Sequence, residues 1–241
     1  MSEIIKAPPS IYIGGTYMSP SDISREQFEK IIGGCLEIGW DDLGKVMATY
    51  DLAKVSFWYK WVTTRRSGDR YFEHPKAIAL IGAVECHDTS INNTHARLLH
   101  DNDEDTRLWV KSIQYLVNFA VANRVGLVSN PEKTGDAYVD KERKRVHYLA
   151  IKEDDNAGKI KVPDRIGNLR THEIRLLISG IIQSGNITPE QLTKWLQNAE
   201  GQIQETEEYI LPIAEKIGWN YLPLLMKEFR TLSEWVKSIK S

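Results

Sequence analysis

The chain carries six histidines, and one of them stands beside a dense group of acids. His100 and Asp101 close an apolar helical run, HARLLHD, and Glu104 and Asp105 follow about one helical turn later. At that spacing Asp101 and Asp105 share one face of a helix, and His100 and Glu104 share another. The run HDNDED thus sets four carboxylates next to an imidazole, and like charges so close repel and raise one another's pKa. A bound dication relieves that repulsion. The plain alternative is a solvated acidic loop. The apolar helix that the motif ends argues instead for a cavity.

Two further segments hold residues suited to the same site. One is RRSGDRYFEHP, with Arg65, Arg66, Ser67 and His74; the other is KIKVPDRIGNLRT, with Asp164, Asn168 and Thr171. A second His-Asp dipeptide, His87-Asp88, serves as a control: Thr-Ser-Ile follows it, with no acidic pair at the right distance, so it reads as a loop pair.

In order along the chain, RRSGDRYFEHP, LLHDNDEDT and KVPDRIGNLRT resemble the hydrolase domain of RelA/SpoT enzymes, which has RKSGEPYxxHP, a helix ending LLHDxxEDT, and KLADRxxNxRT. ETEEYILPIAEKIG is similar to that family's ETxxxYxPxAxxxG segment, just past the hydrolase core, and the ERKR at positions 142–145 also has a counterpart. The similarity runs from Arg65 to Gly218.

This resemblance implies an all-α, HD-domain helical fold and a single divalent cation held by His74, His100, Asp101 and Asp164. Two imidazoles and two carboxylates suit Mn²⁺, the family's metal, and would also accept Fe²⁺, Co²⁺ or Zn²⁺. It implies that Glu104 and Asp105 handle the protons of water and leaving group. Arg65 would stack on guanine and Arg66 would meet phosphate, since a planar guanidinium serves both tasks. The plain alternative for this pair is an ordinary basic turn. Ser67, Asn168 and Thr171 match positions lining the base or ribose pocket. The implied reaction is hydrolysis of the 3′-pyrophosphate of ppGpp or pppGpp, giving GDP or GTP plus pyrophosphate.

The chain departs from the pattern in places. Arg66 stands for the family's Lys, Arg70 for a Pro, and Pro163 for an Ala, which is expected to bend its helix. Thr63 and Thr64 replace the usual His and Gln. Two alternatives therefore stand beside the leading reading. One is an HD-type phosphohydrolase acting on NADPH, a dNTP or a nucleoside monophosphate. The other is a non-catalytic nucleotide-binding module.

The elements that must position these residues read as helices. Ser24 and Gln27 have capping-box spacing before REQFEKIIGGCLEIGW, whose helical pattern a Gly pair interrupts. A buried helix is expected over Asp51 to Val62, and an apolar one in KAIALIGAVEC. Thr106 to Arg124 has apolar residues at helical spacing, Ser129 to Asp140 reads as a loop, and KERKRVHYLAIK as a charged helix. Ile160 to Leu169 is a short helix candidate despite Pro163. Thr188-Pro189 suits an N-cap followed by Pro at the first helical position. No alternating strand pattern and no repeat stand out. Residues 1–22 read as an irregular arm, 23–218 as the HD-type domain, and 219–241 as a helical extension packed on it.

Bulk properties set the limits. A chain of 241 residues, 41% hydrophobic and 27% charged, can bury a sizeable core. A formal charge of -2 gives no global positive field to recruit nucleic acid or membrane, so an anionic substrate needs a local cation cluster or a metal. Cys35 and Cys86 form no CxxC pair, and a reducing, cytoplasmic setting is expected. No signal-peptide core and no window of the roughly 20 apolar residues of a membrane span occurs. Nothing after Gly218 is long enough for a nucleotide synthetase domain, so a stand-alone hydrolase is expected. Trp195 and Trp235 sit among charges; a core role is the ordinary reading, and a lid or homo-oligomer contact the sharper one.

Overall fold

The computed structural model describes residues 11–58, 71–106, 108–170 and 188–240. In chain order its helices are α1 (Arg25–Leu36), α2 (Trp40–Trp58), α3 (Glu73–Leu80), α4 (Ile91–Leu99), the single turn α5 (Asn102–Asp105), α6 (Val110–Leu116), α7 (Phe119–Val128), α8 (Ala137–Glu153), α9 (Asp155–Arg170), α10 (Pro189–Glu205), α11 (Leu211–Ile217) and α12 (Leu222–Lys240). π-helical turns at Ile81–Glu85 and Thr206–Ile210 continue α3 and α10.

Local sequence explains where these helices begin. The Ser24 hydroxyl accepts from Gln27 N at 3.2 Å while the Gln27 side chain accepts from Ser24 N at 2.7 Å, the capping box expected for α1. Thr188 and Gln191 form the same box on α10, with Pro189 as its first residue. The Gly pair does not break α1. A Cβ on Gly33 would lie 3.1 Å from Leu43 Cδ2, so the bare glycine lets α2 approach. α2 starts at Trp40, well before the expected Asp51, and buries one stripe, Leu43, Val46, Met47, Thr49, Tyr50, Ala53 and Phe57, while the end of the expected helix, 59–62, lies outside the described residues. The Thr106 to Arg124 stretch divides in two, because Val117 leaves helical geometry and Asn118 Oδ1 caps α7 by accepting from Val121 N at 2.8 Å.

α9 is the central element. It packs against α3, α4, α7 and α8 and against the later α11 and α12. It extends from Asp155 through Pro163 to Arg170, longer than the short candidate read from sequence. Asp154 caps its start, accepting from Asn156 N and Ala157 N at 2.8 and 3.0 Å. α3 is buried from Glu73 to Leu80, so both helices that carry the inner site residues are core helices.

The all-α expectation holds with one addition. Within the arm read as irregular, Ile11–Ile13 pairs antiparallel with Thr16–Met18, Ile11 opposite Met18. Gly14 and Gly15 turn the hairpin at φ 57 and 91, values that glycine adopts without strain. Three-residue strands are too short for an alternating pattern to register. Trp195 and Trp235 are half-buried against the core, in line with the ordinary reading of both.

Candidate metal centre

Three separate elements bring their side chains together. His74 lies near the start of α3, His100 and Asp101 form the corner between α4 and α5, and Asp164 lies in the middle of α9. One ligand atom each from His74, His100 and Asp101 fall within 4.8 Å of one another. Asp164 stands outside that compact set of three, yet its Oδ1 is 3.1 Å from His74 Nε2 and 3.6 Å from His100 Nε2. On the other side Asp101 offers Oδ2 at 3.8 Å to His74 Nε2 and Oδ1 at 3.0 Å to His100 Nε2. Each imidazole nitrogen thus faces a carboxylate oxygen from both aspartates.

The residues present fit a divalent cation. His100 Nδ1 lies 2.8 Å from the Arg97 carbonyl, which can only accept, so the ring proton is assigned to Nδ1 and Nε2 keeps its lone pair. That Nε2 is buried without a hydrogen-bond partner among the described residues, even though Asp101 is close. A buried lone pair aimed between two carboxylates is what a metal ligand requires. Two nitrogens with two oxygens match a first-row dication better than Mg²⁺ or Ca²⁺.

Electrostatics point the same way. Burial opposes charge on His100, but Asp101 and Asp164 outweigh it and hold its pKa up at about 10. Burial pushes Asp101 and Asp164 up, yet both end below the usual carboxylate range. For Asp101 the opposing cations are His100 and His74, and for Asp164 they are Lys161 and then the two histidines. The centre draws positive charge, whether as protons on the imidazoles or as a dication.

Glu104 and Asp105 lie one turn beyond Asp101, with Asp105 N donating to the Asp101 carbonyl at 2.9 Å. The Glu104 carboxylate is steered by Asn130, whose backbone N–H donates at 2.7 Å and whose side-chain amide donates at 3.1 and 3.2 Å. Glu104 lines a cleft of about 700 Å³ with the acids Asp103, Glu132 and Asp140 and the cations Lys133, Lys141, Arg143 and Lys144. Acids and cations line it in equal number, and Lys144 is already paired with Glu205, so the cleft is of mixed charge.

Asn168, expected at the base or ribose pocket, donates its amide to Asp164 Oδ1 at 2.8 Å. It supports the ion site one helical turn from the aspartate. Arg65, Arg66, Ser67 and Thr171 lie outside the described residues. Three participants escape the sequence reading. Lys161 Nζ lies 3.2 Å from Asp164 Oδ2; it opens the KVPDRIGNLRT motif, which gives it no role of its own. Arg97 is marked only as a cation inside an apolar helix, and Asn130 not at all. The control dipeptide behaves as expected, since Asp88 pairs with the fully buried Arg97 and accepts from Ser90 N at 3.0 Å and Asn93 Nδ2 at 2.9 Å.

In sequence the chain is similar to part of the RelA/SpoT enzymes, and in fold to a solved ortholog of SpoT. It is 27% identical over 192 residues to the bifunctional (p)ppGpp synthase/hydrolase SpoT of Escherichia coli K12, covering 73% of this chain and 24% of that protein. It is 31% identical over 156 residues to a protein of Mycobacterium leprae named a probable GTP pyrophosphokinase, covering 64% of this chain and 17% of that one. The chain therefore spans about a quarter or less of the length of these curated relatives. Its fold is shared with a solved metazoan ortholog of SpoT that hydrolyses ppGpp, at a TM-score of 0.56 and 22% identity, covering 78% of this chain and 94% of that one. No protein-family model matches the chain.

Proposed function

We propose that this protein is a manganese-dependent HD-type hydrolase that removes the 3′-pyrophosphate of ppGpp or pppGpp, yielding GDP or GTP and pyrophosphate. The observation that carries this reading is the meeting of His74, His100, Asp101 and Asp164 from distant parts of the chain, at contacts of 3.0 to 3.8 Å. A dication bound there would polarise a phosphoryl oxygen and make a bound water more acidic.

The protein's own groups do the rest. Glu104 accepts the proton of the attacking water, with Asn130 fixing its carboxylate. Water adds to the phosphorus next to the ribose 3′-oxygen, and the P–O3′ bond breaks. The proton taken up by Glu104 then passes to that oxygen by way of Asp105, the next residue, so that both carboxylates end as they began. Lys133, Lys141 and Arg143 at the cleft are the cations within the described residues that can meet the nucleotide's phosphates. Arg65, Arg66, Ser67 and Thr171 are assigned to guanine, ribose and phosphate by their match to the family's motifs. A cytoplasmic setting, with no nucleic acid or membrane partner, is part of the same proposal.

The test is purified protein with MnCl₂ and ppGpp, products read by mass. GDP and pyrophosphate that appear only with metal support the reading; no release from protein shown to hold Mn²⁺ refutes it. A second reading, the same chemistry on another nucleotide such as NADPH, a dNTP or a nucleoside monophosphate, draws on Asn168, whose amide is committed to Asp164 rather than to a base. The same assay across a nucleotide panel separates the two by which substrate turns over fastest.

A further inference from the structure

Lysine is rarely buried without a partner, because an ammonium taken out of water must be paired. Lys161 is 6% exposed, and its ion-pair partner among the described residues is Asp164 Oδ2 alone. The two oxygens of Asp164 therefore have separate occupations. Oδ1 faces His74 Nε2 at 3.1 Å and His100 Nε2 at 3.6 Å and accepts from Asn168 Nδ2 at 2.8 Å. Oδ2 turns to Lys161 at 3.2 Å. Lys161, Asp164 and Asn168 follow one another at about one-turn intervals on α9, a buried helix fixed by neighbours on several sides.

We infer that Lys161 is a positioning residue for the metal centre: it holds Oδ2 of Asp164 so that the carboxylate offers Oδ1 alone to an ion between the two imidazoles. This rests on the metal reading proposed above. A free carboxylate can swing about its last torsion or chelate an ion through both oxygens. Lys161 on one oxygen and Asn168 on the other remove both freedoms, as outer partners of metal ligands commonly do. Charge adds a second consequence. Two aspartates balance a dication, and Lys161 then leaves the buried centre with one net positive charge, which suits a polyanionic substrate.

The experiment titrates Mn²⁺ alone into the metal-free full-length chain by calorimetry, for wild type, Lys161→Met, Lys161→Arg, Asp164→Asn and the Lys161→Met/Asp164→Asn pair, with turnover of ppGpp measured alongside. Lys161→Met is expected to weaken Mn²⁺ binding by about 10–100-fold. Its loss in turnover should fall on kcat more than on KM, and Lys161→Arg should recover much of both. Because Lys161 acts through Asp164, adding Lys161→Met to Asp164→Asn should cost no further affinity. Wild-type affinity in Lys161→Met, or additive losses in the pair, overturns the inference. Should Lys161→Met fail to fold, Lys161→Gln replaces it; its side chain is one atom too short to reach Oδ2, and the same loss or its absence decides the matter. Wild-type protein that takes up no Mn²⁺ refutes the metal reading and this inference together, whereas equal uptake by wild type and Lys161→Met refutes this inference alone.

Discussion

The guanidinium of Arg97 donates to the Lys159 carbonyl from two nitrogens, Nε at 3.1 Å and Nη2 at 2.7 Å. Lys159 lies four residues before Pro163, and proline has no N–H to fill that carbonyl within the helix. Arg97 supplies the missing donor from α4. Its own carbonyl meanwhile holds Nδ1 of His100 at 2.8 Å. A single buried side chain thus ties the helix carrying Asp164 to the helix carrying His100, and the Pro163 departure from the family pattern is absorbed without breaking α9.

Arg97 should therefore be a point of high sensitivity. It is fully buried and paired with Asp88, so Arg97→Ala strands a buried carboxylate and reopens the Lys159 carbonyl. A loss of about 3–5 kcal/mol in unfolding free energy is expected, as for other broken buried pairs. Gly82→Ala reaches the same clamp from the opposite side. Its Cβ would fall 2.3 Å from Arg97 Cζ, and a guanidinium held by Asp88 and Lys159 cannot move aside. Overpacking of that kind costs about 1–3 kcal/mol. Urea unfolding of both variants checks the two values; near wild-type stability in either removes the clamp argument.

Metal binding and rate should separate along the HDNDED run. Asp101→Ala deletes a carboxylate that contacts both imidazoles, so Mn²⁺ uptake and turnover are expected to vanish together. Glu104→Ala leaves those contacts in place; it should bind Mn²⁺ normally and lose about 10²–10⁴-fold in kcat. Asn130→Ala should give a smaller loss of the same kind, since the backbone N–H of the substituted residue still donates to Glu104. Calorimetry beside single-turnover kinetics distinguishes them. Retained turnover in Asp101→Ala would contradict the site.

Binding of a dication should also be visible in stability. A ligand that binds only the folded state raises the melting temperature by mass action. Adding MnCl₂ to metal-stripped protein should raise Tm, and a chelator should reverse the rise. Asp164→Asn should blunt the response, because it weakens a group in contact with both histidines. An identical shift in Asp164→Asn and wild type would place the bound ion elsewhere.

What the sequence could tell follows from what each residue's chemistry demands. His74, His100, Asp101 and Asp164 are legible as a set only through the resemblance of their three segments to RelA/SpoT motifs, and their side chains do converge. The caps at Ser24 and Thr188 are legible because both partners lie within one helical turn. The roles of Arg97, Lys161 and Asn130 are not legible in the sequence, for the opposite reason. Their roles depend on neighbours that only the fold supplies: a carbonyl freed on another helix, the second oxygen of a ligand, an acid across a loop. Asn168 reads from its motif as a base or ribose contact, whereas its amide donates to Asp164 on its own helix. The hairpin at Ile11–Met18 was missed because its strands are too short to show a period.

Acid should weaken the joint between the site helix and α10 through one residue. Glu205, the first residue of the ETEEYILPIAEKIG segment, accepts from Arg165 beside Asp164 and from Lys144 and Tyr148 on α8. Burial works against its charge, but Arg165, then Lys144 and Tyr148, outweigh it and hold its pKa down at about 2, against an ordinary 4.5. A carboxyl with a depressed folded pKa stabilises fully above its unfolded value and loses that contribution as pH falls through the folded one. Stability from Glu205 is therefore complete above pH 4.5 and disappears as the pH approaches 2. Glu205→Gln should be less stable than wild type at pH 7, and the gap should close across that acid window. Parallel melting curves from pH 7 to acid measure it, and a gap that stays constant throughout would show that Glu205 does not titrate differently in the folded chain.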